Sequence, residues 1–519
     1  MRLLGLRLDD HDACLCLYDN GNVSYIKTER IYQIKHHSYD NSYEWVIDLK
    51  RIFGLTPDDI DEIAIVADPL RYGVNQMWDF TTKKYTALDD AECDVTHVEH
   101  HYAHALSACM YDDTDFQFVI DGVGELFQSG KNIQGTTWSV FKNYKLLDRC
   151  TSQFETTTPS TIRIKNSFGV EYENLAKHLN IEASHPEDLP GKLMSLQSFG
   201  NINYEFVDYL EERLEDIKEQ LSIACHPENW AEYFKSKVVA DLNRLDFAAS
   251  IHYFLQKQIL KIIKKYAQPT DKILLTGGCA QNICWNTEIK KQFPNLIIVP
   301  QSADDGLAIG AMEFLRQKHK LKKGQFKNFP YSQNDYSADS PSDDTIKTTA
   351  KYIADGKIVG WYQGNGEVGP RALGNRSILM NPMMNNAKEI INSKVKHRED
   401  YRPFGATILH EHQLDYFDVD FYNPFMLYLG KLKKEIPSIT HVDGTCRFQT
   451  LKDENPVFRK LILEFYKLTK IPLVLNTSLN LGGKPIAGSK HDAVDVLYKT
   501  DMDILVCGDD IIVKEQNVI

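Results

Sequence analysis

The sequence predicts an α/β fold in two domains, and three observations predict it. Short apolar runs recur along the chain and alternate with stretches of helical periodicity. The chain has 519 residues, 43% hydrophobic and 25% charged, which is ordinary for a globular protein and enough for more than one core. Between residues 319 and 345 lysines give way to Ser, Asn, Asp and Pro, the composition of a linker. The expected division is a first domain over 1–325, with a helical insertion around 160–265, a linker over 326–344 and a second domain over 345–519.

Charge and cysteines narrow the function classes. A net charge of -13 argues against non-specific clamping on nucleic acid, and the basic stretch Arg316 to Lys323 is too short to reverse that. The ten cysteines show no CxxC pair or zinc-type spacing, which favours a reduced chain without disulfides. No apolar run approaches a membrane span, and Asp9 interrupts the N-terminal apolar run too early for a signal peptide. A cytoplasmic location is expected.

Strands are expected at Leu3 to Leu8, Ala13 to Tyr18 and Val23 to Thr28, the last two joined by the turn Asp19-Asn20-Gly21-Asn22. The loop between the first two holds Asp9, Asp10, His11 and Asp12, more acidic groups than a turn needs; it is either chemical or merely solvated. A helical stretch near Tyr43 to Phe53 and a buried-type strand at Glu62 to Ala67 follow. In Glu99-His100-His101-Tyr102-Ala103-His104, His100 and His104 share one face if the segment is helical. Two imidazoles one turn apart can grip a divalent metal, or can make ordinary hydrogen bonds; spacing alone leaves both open. Phe116 to Ile120 is a strand that delivers Asp121 into a tight turn with Gly122. From Phe116 the strand and ribbon pattern starts over, with a ribbon at Thr136 to Phe141, as in folds of the actin and sugar-kinase type with duplicated halves.

Tyr204 to Leu221 reads as a packed amphipathic helix, and the nearby Gly191-Lys192 pair is a candidate phosphate contact. The strand Lys272 to Thr276 runs into Gly277-Gly278-Cys279-Ala280-Gln281-Asn282 and then a helix, an arrangement suited to holding a nucleotide on free backbone N–H groups. Gln301-Ser302-Ala303-Asp304-Asp305-Gly306 leads into another helix, and Asp305 is a candidate oxygen ligand. Beyond the linker, a helix near Thr345 to Ala354 and a strand at Lys357 to Tyr362 open onto Gly364-Asn365-Gly366-Glu367-Val368-Gly369. That is a literal GxGxxG, with Glu389 at the spacing of a ribose-binding acid. The density of Arg371, Arg376, Lys394, Lys396, Arg398 and Arg402 suits compact phosphates better than a dinucleotide. His441, Arg447, Asn476, Thr477 and Ser478 add donors at or near strand ends.

Taken together, EHHYAHALSA, VIDGVGE, GKLMSL, LLTGGCAQN, QSADDGLAIGA, EVGPRALGNRSILMNP, NSKVKHREDYRPFGA, THVDGTCRFQT and NTSLNLGGKPI resemble the NodU/CmcH-type O-carbamoyltransferases, through nearly the whole chain. The resemblance implies an actin-like (ASKHA) first domain, similar to the threonylcarbamoyl-tRNA enzyme, and a YrdC-like α/β second domain. It implies that the second domain makes carbamoyl-adenylate from carbamoyl phosphate and ATP, with Mg(II). Arg371, Arg376, Lys394, Arg398, Arg402, His441, Arg447, Asn476, Thr477 and Ser478 are the expected contacts. The first domain is then expected to pass the carbamoyl group to a hydroxyl of a small-molecule or nucleotide acceptor. His100, His104, Asp121 and Asp305 would hold Fe(II) or a similar divalent metal. Asp9 and His11 would form the catalytic pair, and Lys192, Gly277, Gly278 and Asn282 would hold the adenylate. Relatives commonly have Gly-Glu-Pro-Ile where this chain has Gly483-Lys484-Pro485-Ile486, and RPFAP where it has Arg402 to Ala406. The segment Ser167 to Asn180 also departs, which bears on acceptor identity.

Three rival readings are weaker. A threonylcarbamoyl-tRNA synthase fusion shares both domain types but needs a tRNA surface, which the acidic balance disfavours. The hydrogenase-maturation carbamoyltransferase resembles the pair, but its zinc-finger cysteines are missing here. A non-catalytic nucleotide-binding scaffold has no use for the joint presence of the histidine pair, the carboxylates and the arginine set.

Overall fold

The computed structural model describes all residues except 9–10, 40–43, 68–93, 130, 159–160, 165, 214–241, 334, 385 and 515–519. It is mixed α/β, as expected, and forms two compact units. One gathers Met1–Ile63 and Leu315–Ile519; the other includes Val95–Phe314. In this division the first 63 residues group with the C-terminal portion.

In the first unit, the strands Arg2–Arg7, Cys14–Asp19 and Asn22–Lys27 form an antiparallel meander. Its tight turn places Asn20 and Gly21 at positive φ, the conformation that residues of this type tolerate. The strand Gln325–Phe326 adds in parallel to the edge at Asn22–Val23. The segment expected to be a linker is therefore packed: Tyr331, Ser332 and Gln333 are buried, and Gln333 donates to the Lys27 carbonyl.

The rest of this unit is built on an eight-stranded mixed sheet. Its order is Leu429–Lys431, Thr445–Leu451, Gly405–Leu409, Leu473–Ser478, Arg376–Met380, Val359–Tyr362, Ile504–Cys507 and Asp510–Val513. Both faces are buried, and the period of two is visible in the packing. Leu473, Leu475, Ile378, Met380 and Leu505 pack into one core. Their neighbours Val474, Leu379, Ile504 and Val506 pack into the other, under the helices Asp343–Ala354 and Pro456–Thr469. The second of these helices starts at Asn455, whose side chain accepts the Phe458 N–H, and ends at Lys470 in the left-handed conformation. It buries Phe458, Leu461, Ile462 and Phe465 at helical spacing.

The second unit carries the sheet Thr161–Ile164, Lys145–Thr158, Asn132–Lys142, Phe116–Ile120, Ile273–Thr276 and Leu296–Ile297, with Leu126–Ser129 paired to Asn132–Lys142. Its first part repeats the antiparallel meander; Phe116–Ile120 and Ile273–Thr276 then run parallel. The region expected to be helical holds Phe168–His178, Leu189–Leu196, Tyr204–Arg213 and the long helix Arg244–Tyr266. The expected continuation to Leu221 lies outside the described residues. Among the described residues, no helix is long and apolar enough to cross a membrane.

Candidate functional site

The second unit brings four potential metal ligands together. The helix His100–Leu106 is capped by Glu99, whose carboxylate accepts the Tyr102 N–H at 2.7 Å, and it presents His100 and His104 on one side. Asp121 follows the strand Phe116–Ile120, whose register with Ile273–Thr276 sets the two C-terminal ends side by side. One oxygen of Asp121 is fixed by the backbone: Oδ1 accepts from Gly122 N at 2.8 Å and Gly278 N at 3.0 Å. Oδ2 lies 3.2 Å from His100 Nε2 and 3.3 Å from His104 Nε2. The fourth group is Asp304, with Oδ1 at 3.5 Å and 3.4 Å from the same two nitrogens.

These ligand atoms all lie within 4.8 Å of one another, and all four residues are buried. The two Nε2 atoms stand 3.2 Å apart. For metal–ligand bonds of about 2.1 Å, neighbouring ligands sit roughly 3.0–3.4 Å apart, so the donor set fits a divalent cation. Burial disfavours charge on His100, but the carboxylates of Asp304 and Asp121 outweigh it and raise its pKa to about 10. His104 is raised for the same reason, and Asp121 is held well below the usual carboxylate range by the two imidazoles despite burial. His101 turns elsewhere: its Nδ1 meets Ser139 Oγ at 2.8 Å, and burial keeps it neutral.

The expected fourth ligand was Asp305; the carboxylate that faces the histidines is that of Asp304. The two are adjacent in a 3₁₀ turn, Asp304–Gly306, where no simple periodicity says which side chain points inward. The helix that follows is brought close by Gly310, where a Cβ would lie 1.9 Å from the Ala103 carbonyl oxygen. In the Gly277–Gly278 turn, Gly277, at φ +91°, donates to Ser302 O at 2.7 Å, and Gly278 donates to Asp121. Asn282 caps the helix Ile283–Gln292 by accepting from Cys284 N and Trp285 N. Lys192, on the helix Leu189–Leu196, donates to Glu182 O, which is no part of this constellation.

The first unit holds a crowd of cations. Burial, with the guanidinium groups of Arg447 and Arg402, pushes Arg371 down to about 9. Burial and Arg402 push Arg447 down to about 10. Arg398, over the Phe404 ring at 4.2 Å, is held well below its ordinary value by burial, Arg402 and Arg447. Lys396 is buried, and burial, Arg398 and Arg402 lower it strongly. Its Nζ donates to Asn480 Oδ1 at 2.6 Å, Asn480 O at 3.2 Å and Ser478 Oγ at 3.4 Å, acceptors suited to an ammonium. Glu399 lies 3.6 Å from Arg402, but the cations outnumber it, and like charges gathered in this way are costly unless an anion joins them.

Two expected cations are elsewhere. Lys394 is exposed, and Lys396 takes the inward place, because the helix Ala387–Ile391 widens into a π turn over Asn392–Lys396. Arg376 is fully buried and engaged: it pairs with Asp335 at 3.2 Å, donates to Gln363 O at 2.6 Å and Tyr336 O at 2.8 Å, and lies over the Tyr362 ring at 3.7 Å. His441 contacts Tyr401 O at 3.2 Å, next to Arg402, and Asp443 at 3.5 Å. Asn476 donates to Ala372 O at 3.3 Å and Thr407 Oγ1 at 2.9 Å, tying down the loop of Arg371. Thr477 is buried in its strand, and Ser478 donates to Asn480.

Sequence reasoning missed the organiser of that loop. Glu367 Oε1 accepts the N–H groups of Leu373, Asn375 and Arg376 at 2.8, 2.8 and 3.1 Å. Arg30 adds a brace from the N-terminal meander, donating to Gly369 O at 3.0 Å. Of the expected catalytic pair, Asp9 lies outside the described residues, and the Nδ1 of His11 meets the carboxylate of Asp12 at 3.0 Å.

Comparison with known proteins adds a family. The carbamoyltransferase N-terminus profile matches residues 75–312, and the carbamoyltransferase C-terminus profile matches residues 350–514. An uncharacterized protein of Methanocaldococcus jannaschii is 33% identical over 67% of this chain and 72% of its own length. The 3'-hydroxymethylcephem-O-carbamoyltransferase of Streptomyces clavuligerus is 29% identical over 62% of this chain and 64% of its own. The nodulation protein NolO of Bradyrhizobium diazoefficiens is 32% identical over 51% of this chain and 53% of its own.

Proposed function

The chain belongs to the carbamoyltransferase family, and we propose that it is an ATP-dependent O-carbamoyltransferase working in two steps. The observation that carries this reading is the cation crowd of Arg371, Lys396, Arg398, Arg402 and Arg447. Such a pocket is built for a substrate with several negative charges, and carbamoyl phosphate with ATP brings them together. Guanidinium groups bind phosphate oxygens in pairs and orient them, while Lys396 contributes a point charge. In the first step, one water, carbamoyl phosphate and ATP yield carbamoyl-adenylate, phosphate and pyrophosphate. The residues act by positioning and by offsetting charge on the phosphoryl oxygens. Glu367, Asn476 and Arg30 keep the Arg371 loop in place while they do so.

In the second step an acceptor hydroxyl attacks the carbamoyl carbon and AMP leaves. His11 serves as the general base for that hydroxyl, with Asp9 as the partner carried over from the family. His100, His104, Asp121 and Asp304 would hold a divalent metal, Fe(II) by resemblance, which would supply positive charge to a carbonyl or phosphate oxygen. The acceptor is a hydroxyl-bearing small molecule or nucleotide. The relatives named for cephem carbamoylation and nodulation support a small-molecule acceptor.

The test is pyrophosphate release from ATP with and without carbamoyl phosphate. Release is expected only when carbamoyl phosphate is present; release that ignores it would sink the reading. A panel of hydroxyl acceptors scored by mass spectrometry for gain of one carbamoyl group then identifies the acceptor.

A further inference from the structure

We infer that Asp12 is the positioning residue for His11, fixing its imidazole in the Nδ1–H tautomer so that Nε2 is the atom that takes a proton. The inference deepens the reading of His11 as the base in acceptor attack and rests on it. Both carboxylate oxygens of Asp12 are engaged. Oδ2 meets His11 Nδ1 at 3.0 Å, Oδ1 meets Lys27 Nζ at 2.8 Å, and His36 Nδ1 lies 3.2 and 3.4 Å from the two oxygens. The outer ring of this network is charged as well. Lys27 Nζ lies 3.4 Å from Glu29 Oε1, and Glu29 Oε2 accepts the backbone N–H of His36 at 3.1 Å.

A carboxylate can only accept, so the nitrogen facing it must carry the proton. The neutral ring then presents a lone pair at Nε2. Exposure agrees with the division of labour: the His11 side chain is 26% exposed, against 8% for Asp12 and 7% for Lys27. Lys27 adjoins Asp12, and with the His11 and His36 contacts it holds the Asp12 carboxyl well below its usual range despite burial. Asp12 therefore stays ionised while His11 is charged. The step balances: the acceptor O–H proton goes to His11 Nε2 and the acceptor oxygen bonds to the carbamoyl carbon. The bond from that carbon to the adenylate oxygen breaks, and AMP leaves with the electron pair. Asp12 and Lys27 do not exchange protons in it; they set the ring and offset the imidazolium.

The backbone is built for this placement. Asp12 sits at φ +59° and His36 at φ +54°, in the left-handed region. Short polar side chains such as Asp and Asn tolerate that region, so Asp12→Asn preserves the turn while replacing an acceptor by an amide that can donate. The loop is also tied at its flanks, where Ala13 N donates to His37 O at 2.8 Å and Tyr39 N donates to Leu8 O at 3.0 Å.

The test is ¹⁵N NMR of histidine-labelled full-length protein, with the His11 resonances assigned by their loss in His11→Gln. Wild type is expected to show a protonated Nδ1 and an unprotonated Nε2. A wild-type ring protonated at Nε2 overturns the inference without any variant. In Asp12→Asn the tautomer should reverse, and carbamoyl transfer should fall roughly 10²- to 10⁴-fold. Asp12→Glu, which keeps the acceptor, should retain the Nδ1–H tautomer and recover part of the rate. An unchanged tautomer in Asp12→Asn overturns the inference whatever the activity does. A reversed tautomer with unimpaired transfer upholds the positioning by Asp12 and instead removes His11 as the base.

Discussion

The two polar sites of this chain solve opposite electrostatic problems. In the first unit, Arg371, Lys396, Arg398, Arg402 and Arg447 crowd together, and the cost of that crowding shows in how far burial and mutual repulsion depress Arg371, Lys396, Arg398 and Arg447. In the second, two imidazoles face two carboxylates, and their mutual attraction raises the histidines and lowers Asp121 against the opposing effect of burial. On the proposed reading, anions complete the first arrangement and a cation the second.

The largest expected effect separates the two sites outright. His100→Ala combined with His104→Ala should abolish bound divalent metal, measured by elemental analysis, and leave carbamoyl-phosphate-dependent pyrophosphate release in place. Loss of both would mean the two clusters serve one reaction step. Next, Arg447→Ala should weaken carbamoyl phosphate by roughly 10- to 150-fold in KM, the worth of one charge-assisted hydrogen bond of about 1.5–3 kcal/mol. Its metal content should be untouched. Lys394→Ala, on an exposed side chain, should change KM little, whereas Lys396→Ala should change it strongly. Equal effects at the two lysines would break the assignment of Lys396.

Smaller effects probe the scaffold of the second unit. Gly310→Ala puts a Cβ 1.9 Å from the Ala103 carbonyl, and overpacking of this kind costs about 1–3 kcal/mol. Lower thermal stability together with weaker metal retention is expected; an unchanged Tm would show that the helices part without cost. The last is a pH dependence. Burial depresses His252 to about 3, and its Nδ1 meets the Tyr172 hydroxyl at 2.8 Å. The folded value lies below the unfolded one of about 6.5. Its contribution is therefore present above pH 6.5 and shrinks as pH falls below it, by about 1.4 kcal/mol per pH unit. Denaturant titrations at pH 6.5 and 5.5 read the difference, and His252→Asn should flatten it.

What the sequence made legible follows local physics. His100 and His104 were readable because one helical turn brings positions i and i+4 together. Asp121 was readable because a strand followed by Asp-Gly ends in a turn. The choice between Asp304 and Asp305, or between Lys394 and Lys396, depends on a 3₁₀ turn and a π turn whose phase no regular periodicity predicts. The polar stretch 326–344 reads as a linker by composition, yet Asp335 is buried against Arg376, a pairing between residues far apart in the chain. For the same reason Arg376 reads as a phosphate ligand until Asp335, Gln363 and Tyr336 are seen around it. Glu367 was missed because its three partners are backbone N–H groups, which leave no side-chain signature.

On the proposed reading, the cation crowd and the metal-type site perform separable steps. The most direct measurement strips the protein with a chelator, returns magnesium alone, and follows single-turnover pyrophosphate release with carbamoyl phosphate and ATP. The prediction is a pyrophosphate burst equal to that of untreated protein, with carbamoyl transfer to the acceptor lost until the divalent metal is restored. A burst that vanishes with the stripped metal, or that persists without carbamoyl phosphate, would contradict it.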